Sequence, residues 1–228
     1  MLRHLYVQVI VGILAGILVG ALFTSFAPGA KLIRVTFINL IKSVIAPVIF
    51  FTVVAGIAGA GDLNKVGRVG LKAFIYFEVV TTLALIIGLI TANLVKPGSG
   101  VHFSGGPNQQ VEKIAQQAGE MDWAEFFTHI VPSNVVDAFA KGDILQVLFF
   151  SILFAIGLKM TGSAGNSLLV SFEKINKVLF NILHIIMRLS PLGAFGGMAY
   201  TIGEYGFGTL AVLGKLMMTF YLTGFLFI

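Results

Sequence analysis

The sequence contains no cysteine and very little charge. The first absence excludes disulfides, thiolate metal sites and cysteine nucleophiles, and leaves the redox compartment open. The second is more decisive. Asp, Glu, Lys and Arg make up 11% of the chain, against about 25% in soluble domains. Hydrophobic residues reach 57% and the mean hydropathy is +0.96. A water-facing surface cannot be built from that composition, so lipid is the solvent for most of the chain. Other absences narrow the function. There is no GxxxxGK[ST] loop for ATP, no GxGxxG after a strand, no HExxH and no Ser/His/Asp constellation. The histidines, His4, His102, His129 and His184, are scattered without metal-ligand spacing. The expectation is therefore no enzyme, no cofactor and no structural metal. A net charge of +5 without a basic run excludes a nucleic-acid patch.

What is present is a series of apolar segments, each to be measured against the roughly 20 residues of a membrane helix. They run over about 5–27, 33–60, 70–95, 123–159, 168–202 and 205–228. The start, MLRH, has the charge of a signal peptide, but the apolar stretch behind it is too long for one and no A-x-A site closes it, so it is expected to be a retained span. The fourth segment is expected to be broken, because Pro132, Ser133 and Asn134 are turn residues and Asp137, Lys141, Gly142 and Asp143 keep the next stretch near water. The sixth stops at Ile228, part-way through a span. Residues 96–122 form a long polar loop, placed on the extracytoplasmic side.

With the N-terminus in the cytoplasm, the inside holds Arg3, Lys65, Arg68, Lys72, Lys159, Lys174 and Lys177, and the outside Lys31, Arg34, Lys96, Lys113 and Lys141. The excess inside favours that orientation, although Lys31 and Arg34 count against it.

Several polar features interrupt the apolar runs. Gly12, Gly16 and Gly20 put a smooth groove on one face of the first span. Packing within the chain is the simpler reading, a subunit contact the other. Pro47 should kink the second span, and Lys42 is placed to snorkel. In the third, Glu78, Thr81 and Thr82 fall within one turn. A carboxylate in a membrane helix must be paired, protonated or wetted, and is a candidate functional group. The alternative is that Glu78 reaches water or Lys72. The threonines could bond to their own helix carbonyls or ligate a hard cation. Arg188, in the fifth span, calls for an internal partner.

Four stretches carry a resemblance: FINLIKSVIAPVIFFTVVAGIAGAGDLNKVGRVG, YFEVVTTLALIIGLI, IVPSNVVDAFAKGDILQVLFFSILFAIGL and MRLSPLGAFGGMAYTIGEYGFGTL. In this order they resemble the dicarboxylate/amino acid:cation symporter family, most closely its aerobic C4-dicarboxylate branch. The resemblance implies an all-α polytopic membrane protein, the N-terminal six-helix part of an elevator-type symporter. The first, second, fourth (broken) and fifth helices would be scaffold, and the third and sixth would belong to the mobile core. It further implies a homotrimer in the bacterial inner membrane.

In sodium-coupled relatives the third helix supplies a tyrosine and a Thr/Ser pair to a cation site. Aligned on Gly88, Thr81 matches one hydroxyl, whereas Phe77 and Val80 stand where the tyrosine and the other hydroxyl would be. That departure puts the sodium site in doubt and turns attention to Glu78 as a proton-linked group. The serine-rich hairpin and the Asn-x-Asp-Gly-Thr break that hold the family's substrate are absent from these 228 residues. The implied function is symport of succinate, fumarate or malate with H+ or Na+, the substrate site lying outside this chain. Acidic amino acids as substrate, and a non-transporting scaffold or oligomerisation role, are the alternatives.

Overall fold

A computed structural model describes residues 4–61, 63–97 and 123–228. The polar loop read at 96–122 lies outside the described residues from 98 onward. The described residues are helical, with no strand among them. The helices are α1 (Leu5–Leu22), α2 (Ala27–Ala58), α3 (Leu63–Val95), α4 (Trp123–Ile130), α5 (Val135–Lys141), α6 (Ile144–Met160), α7 (Ser163–Met187), α8 (Ser190–Tyr205) and α9 (Thr209–Phe227). A 3₁₀ turn, Thr24–Phe26, joins α1 to α2. Among the described residues four helices are long and apolar enough to cross a membrane: α1, α2 with its leading turn, α3 from Gly67, and α9. The pair α7–α8 passes the same test together. This is an all-α, multi-pass membrane protein.

Two differences from the sequence reading have physical causes. The stretch 168–202 is not one continuous helix, because α7 ends at Met187 and α8 begins at Ser190. Pro191 is the second residue of α8, where the missing N–H costs nothing because first-turn amides have no partner within their helix. Among the described residues the Arg188 side chain has no hydrogen bond or ion pair. Arg188 caps α7 through its backbone N–H, and its side chain is exposed. Pro47, by contrast, lies inside α2 without ending it.

The chain divides into two compact units. The first comprises the N-terminus to Arg34, Gly67–Ser104 and Pro191–Ile228. Small residues organise it. A Cβ added to Gly16 would lie 2.5 Å from the Phe195 carbonyl oxygen, and one on Gly20 would lie 2.7 Å from that of Ala199. Gly12 lies as tightly against the Pro191 carbonyl. Steps of four on both helices put α1 and α8 side by side in the same direction. The adjacent flank of α8 meets α2, with Gly196 against Ala30 and Ile33, and Gly203 against Ala27. Packing of this closeness, rather than a hydrophobic drive, associates helices in lipid. The groove foreseen at Gly12, Gly16 and Gly20 is thus filled from within the chain. Elsewhere in this unit, Lys215 Nζ donates to the Lys96 carbonyl at 3.2 Å.

The second unit comprises Val35–Val66 and Gly105–Ser190. Its core is aromatic. Phe50 of α2 lies 5.5 Å from Phe139 of α5, 5.9 and 5.3 Å from Phe150 and Phe154 of α6, and 6.1 Å from Phe172 of α7. Val54, Val147, Ala155 and Ala138 close the core around these rings. The broken fourth segment belongs here. Asn134 caps α5 by accepting from Val136 N at 2.9 Å. Gly142 ends α5 with φ +69°, the left-handed conformation that favours glycine. Asp143 then caps α6, accepting from Gln146 N at 3.3 Å. Gln146 Nε2 donates to the His129 carbonyl at 2.9 Å, tying α4 to α6. Lys159 Nζ donates to the carbonyls of Ala58 and Ala60 at 3.2 and 2.6 Å, holding the end of α2.

Candidate functional site

The strongest candidates read from the sequence, Glu78, Thr81 and Thr82, lie mid-way along α3. Spacings of three and four place them on one face of the helix. Glu78 and Thr82 are exposed and Thr81 is half-buried. None of the three has a hydrogen bond or ion pair within the described residues, so Glu78 does not pair with Lys72. What this face offers is one carboxylate and two hydroxyls without competing partners, in a helix otherwise made of Phe74, Ile75, Val79, Leu83 and Ile86, all exposed. Its chemistry is that of a proton acceptor, or of up to three oxygen ligands for a hard cation. A complete cation shell needs more oxygens than one helix face supplies. Among the described residues no group of three or more His, Asp or Glu could hold a metal ion.

Between two and three turns further on, membrane polar groups bond within their own helix. Thr91 Oγ1 donates to the Ile87 carbonyl at 2.8 Å, and Asn93 Nδ2 to that of Leu89 at 2.9 Å. These groups bond back to their own helix. A void beside them is largely apolar. About 360 Å³ lies between the end of α3 and α9, lined by Ile87, Ile90, Thr91, Leu94, Val95, Leu222 and Leu226 among the described residues.

Sequence reasoning missed the roles of three cations. Lys159 was legible only as a loop charge, yet it caps α2, because the partner carbonyls lie about a hundred residues away in the chain. Lys31 and Arg34 were legible only as votes on orientation. In the fold both approach the ring of Tyr200 on α8.

Comparison with known sequences bears on what the α3 face is part of. A sequence model of the sodium:dicarboxylate symporter family matches residues 5–228. A C4-dicarboxylate transport protein of Bacillus subtilis (strain 168) is 55% identical over 227 residues, covering 99% of this chain and 54% of that protein. One from Deinococcus deserti is 49% identical over 228 residues, covering 99% and 52%. One from Rhizobium etli is 48% identical over 227 residues, covering 99% and 51%. The chain spans about half the length of these curated relatives. Nearly every residue of the chain takes part in these matches, and on that evidence the chain belongs to the sodium:dicarboxylate symporter family.

Proposed function

We propose that the chain serves in secondary active transport of C4-dicarboxylates such as succinate, fumarate and malate, by cation symport across the bacterial inner membrane. It is a transporter part, not an enzyme. The observation that carries this reading is near-complete coverage of the chain by proteins named for C4-dicarboxylate transport, joined to helices of membrane-spanning length and apolarity. The coupling ion is H+ or Na+, with Glu78, Thr81 and Thr82 as the group on this chain that would meet it. The N-terminus faces the cytoplasm, and the working protein is a homotrimer. In it α1, α2, the broken α4–α6 segment and α7–α8 form the scaffold, while α3 and α9 ride with the moving core.

The test is a chimaera in which residues 1–228 replace the matching half of the Bacillus subtilis relative. In proteoliposomes with an inward cation gradient, labelled succinate should accumulate saturably and be displaced by fumarate and malate. Accumulation of glutamate or aspartate instead would favour an acidic amino acid symporter. A folded chimaera with no gradient-driven uptake, beside an active parent, would leave only a scaffold role.

A further inference from the structure

We propose that Lys31 and Arg34 of α2, together with Tyr200 and Tyr205 of α8, form a binding site for the phosphate of an anionic phospholipid headgroup.

The elements meet at one end of the first unit. Gly203 of α8 sits against Ala27, which puts the last turn of α8 beside the first turn of α2. Arg34 lies seven residues past Ala27, about 10 Å along the helix at about 1.5 Å per residue. Its side chain runs back toward that end. Cδ passes 4.0 Å from where a Cβ on Gly197 would stand, and Cζ lies 4.6 Å from the Tyr200 ring centroid, three residues further along α8. Lys31 Nζ lies 5.9 Å from the same centroid. Tyr205 extends the platform, its ring edge-on to Tyr200 at 6.3 Å.

Among the described residues these cations lack an anion. Neither Lys31 nor Arg34 has a carboxylate within 4.0 Å among the described residues. Glu204 is the acidic residue beside the platform in sequence, but it is exposed and forms no ion pair with either of them. Arg34 Nε is sealed from solvent and has no hydrogen-bond partner among the described residues. A buried N–H on a charged group is costly when left without an acceptor, and an anion drawn to this half-buried guanidinium offsets that cost. The guanidinium's forked donors suit a phosphate, and a lysine point charge completes the pair.

Lipid rather than a soluble anion is favoured by the surroundings. Phe23, Leu32 and Phe207 are exposed at the same end as the two tyrosines. Aromatic side chains collected with snorkelling cations mark the headgroup level of a bilayer. Exposed Leu32, one residue after Lys31, gives an acyl chain an apolar start. As a headgroup site the pair also needs no cytoplasmic placement, which removes its weight against the expected orientation.

The experiment is native mass spectrometry of the 228-residue chain in detergent, offered phosphatidylglycerol and phosphatidylcholine in equal amounts. The wild type should retain phosphatidylglycerol preferentially. Each cation near a membrane surface is worth about 1 kcal/mol, so Lys31→Gln should lower retention about fivefold and Lys31→Gln/Arg34→Gln about 25-fold. Lys174→Gln/Lys177→Gln removes as much charge elsewhere and should leave retention unchanged. Lys31 is exposed, so its single variant carries the test if the double variant does not fold. Equal retention of the two lipids, or an unchanged preference in Lys31→Gln, would overturn the site. Displacement of phosphatidylglycerol by equimolar inorganic phosphate or succinate would overturn the lipid assignment in favour of a soluble anion.

Discussion

At the scale of single residues, the glycines of α1 are the sharpest case. A side chain at Gly16 would meet the Phe195 carbonyl oxygen at 2.5 Å, Met198 Cβ at 3.0 Å and Ala199 N at 3.2 Å. Two of these are backbone atoms of a helix and cannot step aside. Gly16→Val should therefore lift α1 from α8 and lower stability by about 1–3 kcal/mol, the usual range for overpacking. Gly214→Ala is the matched control, since nothing lies within 4 Å of a Cβ there. It should be neutral or stabilising by up to about 1 kcal/mol. Unfolding midpoints in detergent check both. Equal midpoints for Gly16→Val and the wild type would mean that α1 does not seat on α8.

At the scale of elements, the end of α2 depends on one side chain. Ala58 and Ala60 present carbonyls at a helix terminus, where intrahelical partners run out, and Lys159 supplies both with a charged donor. Lys159→Met keeps the length and removes the donor. It should cost about 1.5–3 kcal/mol, the range for hydrogen bonds to charged groups, while Lys159→Arg should retain most of the stability. Hydrogen exchange at Ala58–Ala60 reads this locally, and unaltered protection in Lys159→Met would refute it. No sequence signal gave this contact, because it joins distant segments. The breaks at 131–134 and 142–143 were legible, since Pro132, Asn134, Gly142 and Asp143 act locally, through a missing N–H, two side-chain caps and a left-handed turn. The break before Ser190 was not. Hydropathy runs on through Leu189 and Leu192, and the proline that opens α8 looks the same as one inside a span. The helices also begin ahead of the spans read from apolarity, α2 at Ala27 before about 33 and α3 at Leu63 before about 70. Apolarity locates what lies in lipid, whereas backbone hydrogen bonding carries a helix past that boundary.

At the scale of the whole molecule, the α3 face is proposed to couple ion movement to transport. Sequence alone put Glu78, Thr81 and Thr82 on one face, because helical spacing is local. It could not supply partners, which come from other elements, and the described residues provide none. The 228 residues alone are therefore expected to show no gradient-driven succinate uptake in proteoliposomes, whereas the chimaera should show it. Under the proposed coupling role, Glu78 would carry the proton that crosses with the substrate in the chimaera. A carboxylate in a membrane helix is costly when charged, so a cycle that protonates it on one side and releases the proton on the other is physically favoured over permanent ionisation. Gln keeps the shape and cannot titrate. Glu78→Gln should flatten the dependence of uptake on external pH and make the rate insensitive to a proton gradient, while dicarboxylate competition persists. Thr81→Val should instead lower uptake only under a sodium gradient, if sodium couples through that hydroxyl. A Glu78→Gln profile superimposable on the unsubstituted chimaera, with Thr81→Val also unaffected, would remove this face of α3 from the coupling mechanism.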